Sequence, residues 1–218
     1  MTSDPPVPTG LVVEPPETAR RWAIGAGRVL ALDRPVVMGI LNATPDSFSD
    51  GGRHLDPDAA VAAGERMVRA GAAILHAGGE STRPGATRVP AEEQIARTAD
   101  VVARLAAATD AAISIDTTRG AVARAALERG AGIVNDVAAG TEDRDLLAAV
   151  AEHGAGLVLM HRLRPPDEDA YSDRYVAPPV YDDPLETVRA FLERRIEAAV
   201  RAGIPEERIA IDPGLGFG

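Results

Sequence analysis

Cysteine is absent from the 218 residues, and so is lysine: all 23 basic residues are arginine. Without cysteine there is no disulfide framework, thiolate metal site or thiol nucleophile. Without lysine, neither Schiff-base chemistry nor a P-loop can be completed by these residues. Aromatic residues make up only 3%, so a core has to come from the aliphatic side chains that dominate the 45% hydrophobic content. Positive charge is outnumbered, with a formal net charge of −10. That balance excludes a general nucleic-acid surface or an anionic-membrane surface. No apolar run approaches the ~20 residues needed to span a bilayer. The first residues, M-T-S-D-P-P-V-P-T-G, lack the basic start and apolar centre of a signal peptide. A soluble, cytoplasmic protein is the expectation.

What is present is a repeated unit. Short apolar runs of strand length end in polar residues, and Ala-rich segments of helical period follow. The first run, 36–41, stops at Asn42 and enters the loop N-A-T-P-D-S-F-S-D-G-G. Phe48 sits within that loop, a large apolar side chain with no core periodicity around it. Further strands are expected at 72–77, 112–115, 132–134, 156–160 and 208–211. Helices are expected from Pro57 to about Ala70, from Pro90, up to Arg129, over 143–152 and over 184–202. Asp56 and Thr117 or Thr118 are read as helix caps. The helix after Pro90 is expected to bury Ile95, Ala99, Val102 and Ala106. Residues 1–16 read as a Pro-rich tail, and 17–24 as a short helix. Residues 162–182 form a loop long enough to suggest a function.

Six βα-type units with polar residues just past each strand predict the α/β class, as a (β/α)8 barrel with about six of its eight units present. Residues 1–24 are the tail and short helix, and 25–218 the barrel domain. The strand ends carry Asn42, Glu80, Arg83, Asp116, Asn135, His161 and Asp212. Asp116, Asn135 and Asp212 combine carboxylate acceptors with an amide, which suits the edge of a flat heterocycle bearing an amino group beside a ring N–H. Arg83, in S-T-R-P-G, can present a guanidinium to an anion such as phosphate. Asn42 offers one neutral oxygen to a hard cation, which fits Mg²⁺ retaining waters and phosphate oxygens. Each residue also has a plainer reading: Asp116 as a helix cap, Asn135-Asp136 as turn residues, Arg83 as a solvated charge, His161 as a satisfied core imidazole.

The motifs M-G-I-L-N-A-T-P-D-S-F-S-D-G-G at 38–52 and G-G-E-S-T-R-P-G-A at 78–86 strongly resemble the dihydropteroate synthase family of pterin-binding barrels. S-I-D-T, I-V-N-D, L-M-H and I-D-P-G-L-G-F-G follow in the family's order. The resemblance implies condensation of 6-hydroxymethyl-7,8-dihydropterin diphosphate with p-aminobenzoate, giving 7,8-dihydropteroate and diphosphate. It implies that Asp116, Asn135, Met160 and Asp212 hold the pterin. Phe48, Thr82, Pro84 and Phe217 would border p-aminobenzoate. Asn42 and Arg83 would bind diphosphate, with Asn42 on Mg²⁺, and Asp50 and Arg83 would act in catalysis. A homodimer is implied for the complete protein.

The sequence departs from the family pattern at His76, where Asp is usual, and at Arg162, where Met is common. It stops before the family's next Lys and the last two strands. Two rivals follow: a pterin-dependent methyltransferase, against which the S-T-R-P-G and T-P-D-S-F loops argue, and a non-catalytic paralogue of the same fold.

Overall fold

A computed structural model describes residues 20–42, 57–170, 174, 175, 177 and 179–217, residue 42 by its backbone alone. The tail, Asp56, Phe48 and Asp50 lie outside the described residues.

Six parallel strands form one sheet in sequence order: β3 (Val37–Asn42), β4 (Ala72–Gly78), β5 (Ala112–Asp116), β6 (Ile133–Asp136), β7 (Gly156–Met160) and β8 (Ile209–Asp212). Helices α1 (Pro57–Arg69), α2 (Ala91–Ala108), α3 (Gly120–Leu127), α4 (Arg144–His153) and α5 (Pro184–Arg201) connect them. Each strand neighbours the one before it, the order of a barrel of βα units. Strands β3 and β8 do not pair with each other among the described residues, so the circuit is open.

Alternation along the strands separates two cores. Leu75, Ala77, Ile113, Ile115, Val134, Leu157 and Leu159 pack outward with Val101, Leu105, Leu146 and Val150 of the helices. On the other parity, Ile74, Ala112 and Ile133 pack with Trp22 and Ile24 in a separate inner cluster. Continuing up this inner parity gives His76 and Gly78 on β4, Ser114 and Asp116 on β5, and Asn135 on β6. Met160 on β7 and Asp212 on β8 follow the same alternation. The lower inner layer is apolar, and polar residues appear only toward the C-terminal ends.

The helix expected over 17–24 is not found at its described end. Arg21–Ala23 is strand β1, antiparallel to β2 (Val29–Ala31). Two-residue alternation wins here because Trp22 and Ile24 both point into the inner cluster. The indole Nε1 also donates to the Arg208 carbonyl at 2.8 Å, and Gly25 N–H donates to the Gly132 carbonyl at 2.9 Å. The hairpin thereby closes the lower end of the sheet.

The buried face of α2 also differs from expectation. Gln94, Thr98, Val101, Val102 and Leu105 are fully buried, whereas Ile95 and Ala106 are only partly so. Gln94 is tolerated inside because its amide donates to Glu80 Oε2 at 2.8 Å and to the Val89 carbonyl at 2.9 Å. Neither Thr117 nor Thr118 caps α3. Asp143 does so from the next helix: Oδ2 accepts from Gly120 N–H at 2.7 Å, while Oδ1 accepts from Asp145 N–H at 3.0 Å at the start of α4. Among the described residues no helix is long and apolar enough to cross a membrane.

Candidate active site

The upper inner layer is built by register. Asn42 pairs with Gly78, Gly78 with Asp116, Asp116 with Asn135, and Met160 with Asp212. Across β6 and β7 Asn135 pairs with Val158, so Met160 and Asp212 register two residues beyond the Asn42–Gly78–Asp116–Asn135 row.

Asp116 and Asn135 are in direct contact. Asn135 Nδ2 donates to Asp116 Oδ1 at 3.0 Å. The other carboxylate oxygen faces His76 Nε2 at 3.5 Å, and His76 Nδ1 lies 3.2 Å from Ser114 Oγ. His76 and Asp116 are each only 9% exposed. Gly78 makes this arrangement possible, since a Cβ there would lie 3.1 Å from Asp116 Cβ. Asp116 is thus a strand-end carboxylate held by an amide and an imidazole, and it does not cap α3.

Met160 is buried and Asp212 half-buried. Asp212 Oδ1 accepts from Gly214 N–H at 2.8 Å. Gly214 has φ +69° and packs so tightly that a Cβ there would lie 1.8 Å from the His161 carbonyl oxygen, so no other residue fits. The turn Asp212–Gly214 therefore fixes Asp212 while leaving its second oxygen without a hydrogen-bond partner among the described residues.

The neighbours of these residues divide by parity. Asp136, next to Asn135, points to the outer layer, where its carboxylate accepts from Ala138 and Gly140 N–H. Burial pushes Asp136 up to about 6, with those two N–H groups and Arg162 acting against the rise. Arg195 of α5 holds the same turn through the Ala139 and Gly140 carbonyls at 2.6 and 3.1 Å. Burial also lowers the pKa of this guanidinium. His161, placed at the strand ends by sequence, turns away onto α5. Its ring meets Phe191 edge-to-face at 5.1 Å, and burial lowers its pKa. It is a buried imidazole packed on an aromatic ring, closer to the plainer reading than to a strand-end site residue.

The S-T-R-P-G segment forms the loop after β4. Thr82 and Pro84 are half-buried, and Arg83 is exposed. Arg83 makes no side-chain hydrogen bond or ion pair among the described residues, whereas its N–H reaches Ser81 Oγ at 3.4 Å. Gly85 N–H donates to the Pro166 carbonyl at 2.7 Å, tying the loop to the segment after β7. Phe217 is half-buried, and its carbonyl accepts from Leu163 N–H at 3.0 Å.

Two acidic residues organise the rim: Glu80, which sequence reasoning placed at a strand end without a role, and Glu142, which it missed. Glu80 accepts from Val89 N–H at 3.1 Å and from Gln94, and lies 3.3 Å from Arg88 Nε. Glu142 accepts from Arg88, Arg162 and Thr118. An acidic residue in a polar loop before α4 carries no pattern that marks it as a hub.

Three or more His, Cys, Asp or Glu residues able to hold a metal ion together do not occur among the described residues.

A family profile described as "Pterin binding enzyme" matches residues 38–218. The chain belongs to this family. A dihydropteroate synthase from Mycobacterium leprae is 50% identical over 182 residues, which cover 83% of this chain and 62% of that protein. A Xanthomonas albilineans dihydropteroate synthase solved with 4-aminobenzoic acid superimposes with TM-score 0.79 at 50% identity, covering 91% of this chain and 68% of that one. The same organism's enzyme in complex with 7,8-dihydropteroate gives TM-score 0.74 at 45% identity, covering 90% and 66%. The chain thus spans about two thirds of the length of such relatives. The six-stranded sheet is that part of a pterin-binding (β/α)8 barrel.

Proposed function

We propose that the full-length gene product is a dihydropteroate synthase, with residues 25–218 in its barrel domain. The observation that carries this reading is the Asp116–Asn135 pair at 3.0 Å in the upper inner layer. A pterin edge presents an amino group and a ring N–H side by side. Asp116 and Asp212 supply acceptors for such donors, Asn135 an amide that both donates and accepts, and Met160 an apolar wall. The relatives named as dihydropteroate synthases support the same reading.

In this reaction the aromatic amine nitrogen bonds to the methylene carbon attached to the pterin. The carbon–oxygen bond to diphosphate breaks, diphosphate leaves with the electron pair, and the amine loses a proton. Arg83, exposed and without a side-chain partner among the described residues, would neutralise the departing diphosphate. Thr82, Pro84 and Phe217 border the p-aminobenzoate side, with Phe48 and Asp50 of the first loop closing over it. The electron-rich pterin, held flat by the strand-end residues, delocalises positive charge on the methylene carbon, so a weak aniline nucleophile suffices. Asn42, at the end of β3 in register with Gly78, would serve as the protein ligand of Mg²⁺. Such an ion would take most of its oxygens from diphosphate and water. When bound, Mg²⁺ supplies counter-charge for the diphosphate. A cytoplasmic homodimer completes the proposal, in keeping with a chain without cysteine.

The test is to incubate the full-length gene product with dihydropterin diphosphate, p-aminobenzoate and Mg²⁺. Equimolar dihydropteroate and diphosphate are expected, and no product from either substrate alone. Absence of dihydropteroate would overturn the proposal and favour the non-catalytic rival. Methyl transfer from a methylated pterin to a corrinoid acceptor would favour the other.

A further inference from the structure

One carboxylate ties together four successive loops at the upper rim. Glu142, between β6 and α4, accepts through Oε2 from Thr118 Oγ1 at 2.7 Å and from Arg88, and through Oε1 from Arg162. Thr118 belongs to the loop after β5, Arg88 to the loop after β4, and Arg162 to the segment after β7. The side chains of Arg162 and Glu142 are 7% and 21% exposed, so the paired groups are partly shielded although the rim itself is exposed. Its three donors hold Glu142 below the usual carboxylate range despite the opposing effect of burial.

The loop after β4 is held at three points, and two of them lead to Glu142. Its entry is fixed by Glu80, which bonds Val89 N–H and Gln94. Its exit is fixed by Arg88, which bridges Glu80 and Glu142 and lies 3.3 Å from Thr118 Oγ1. Its tip is fixed by Gly85 N–H on the Pro166 carbonyl at 2.7 Å. Pro166 follows Arg162 by four residues, and Arg162 is itself anchored on Glu142. Between these supports Thr82 and Arg83 make no side-chain hydrogen bond among the described residues. The loop is therefore braced at its ends and tip, and open where it would meet a ligand.

We propose that Glu142 is a positioning residue: it sets the height of the 81–86 segment over the mouth by holding Arg88 and the Arg162–Pro166 brace at once. The inference rests on the proposed role of that segment in binding diphosphate and p-aminobenzoate. Its structural part stands without it. A carboxylate shared by two guanidiniums favours one geometry, because removing it leaves Arg162 without its ion-pair partner and Arg88 with Glu80 alone. Glu142 bonds none of the residues assigned to the pterin, so the pterin pocket should not feel its loss directly.

The experiment compares wild type, Glu142→Ala and Glu142→Gln in the full-length gene product. Hydrogen–deuterium exchange should rise on the order of tenfold over 81–89 and 163–169 in the alanine variant, and less in the glutamine variant, which keeps an acceptor without the charge. The KM for p-aminobenzoate should rise about tenfold, while calorimetric affinity for 6-hydroxymethylpterin stays within about twofold. Unchanged exchange over both segments in Glu142→Ala would overturn the proposal. So would an equal loss of pterin affinity, which would mark a general structural defect. Faster exchange in a protein that makes no dihydropteroate in its wild-type form would uphold the brace and sink the functional reading instead.

Discussion

His76 Nε2 faces Asp116 Oδ2 at 3.5 Å beneath the strand-end layer, each side chain 11% exposed. The distance is that of an ion-pair contact rather than a short hydrogen bond. Ser114 Oγ, 3.2 Å from Nδ1, can donate or accept, so His76 can keep an Nε2–H toward the carboxylate whether neutral or charged. The imidazole therefore attracts Asp116, where an acidic side chain at this position would repel it.

Replacing His76 with Met keeps the volume and removes that partner. We expect a loss of about 1–3 kcal/mol in stability, the cost of leaving a buried carboxylate with one partner fewer. Urea denaturation of the two proteins checks this. Equal midpoints and slopes would mean that Asn135 alone satisfies Asp116.

Acid stability should carry the mark of Asp136. Its pKa rises from 3.8 to about 6 because burial disfavours the charge. The folded state then binds more protons than the unfolded state between these values. Its contribution is fully present below about 3.8 and is lost as pH rises through about 6, amounting to about 3 kcal/mol. Glu142 acts oppositely: its lowered pKa gives stability present above 4.5 and lost as pH falls through the folded value. Denaturation of wild type and Asp136→Asn at pH 4 and pH 7 separates the two. The advantage of wild type over the variant should shrink by about 2–3 kcal/mol toward pH 7. A constant difference would contradict the burial argument.

The open ends of the sheet give a third expectation. Val37 and Ile40 on β3 are 59% and 58% exposed, and Ile211 on β8 is 54% exposed. Both strands present unpaired N–H and C=O groups among the described residues. Expressed as residues 1–218 alone, the chain should self-associate through these edges and make no dihydropteroate. Light scattering and the synthase assay test this; a monomeric, active 1–218 chain would refute it.

The strands were legible because each is a short apolar run ended by a polar residue, and all six fall within two residues of expectation. Helices α4 and α5 were equally clear, with Asp143 and Asp183 as N-caps whose side chains accept from Asp145 and Glu186 N–H. What failed depended on distant partners. Three residues of alternation at Arg21–Ala23 are too short to signal a strand, and only Trp22 meeting the inner cluster makes one. The α2 face was misplaced because Gln94 is buried by bonds to Glu80 and Val89 that no local pattern announces. Asp116, Asn135 and Asp212 could be placed at strand ends because those ends can be read from sequence, whereas Met160 came from the family resemblance. Glu142 was missed because its three donors come from three other loops. Asn42's side chain, Phe48 and Asp50 fall outside the described residues.

The central claim is that the strand-end layer holds a pterin, and Asp212→Asn tests it most directly. The amide oxygen can still accept from Gly214 N–H, so the turn at 2.8 Å should survive. The other oxygen becomes an N–H donor facing the pterin's own donors. Titration calorimetry of the full-length gene product with 6-hydroxymethylpterin should show wild-type binding and a loss of about 2–5 kcal/mol in the variant. Equal affinity in the two proteins would contradict the account, because the carboxylate at the end of β8 would then not be part of the pocket.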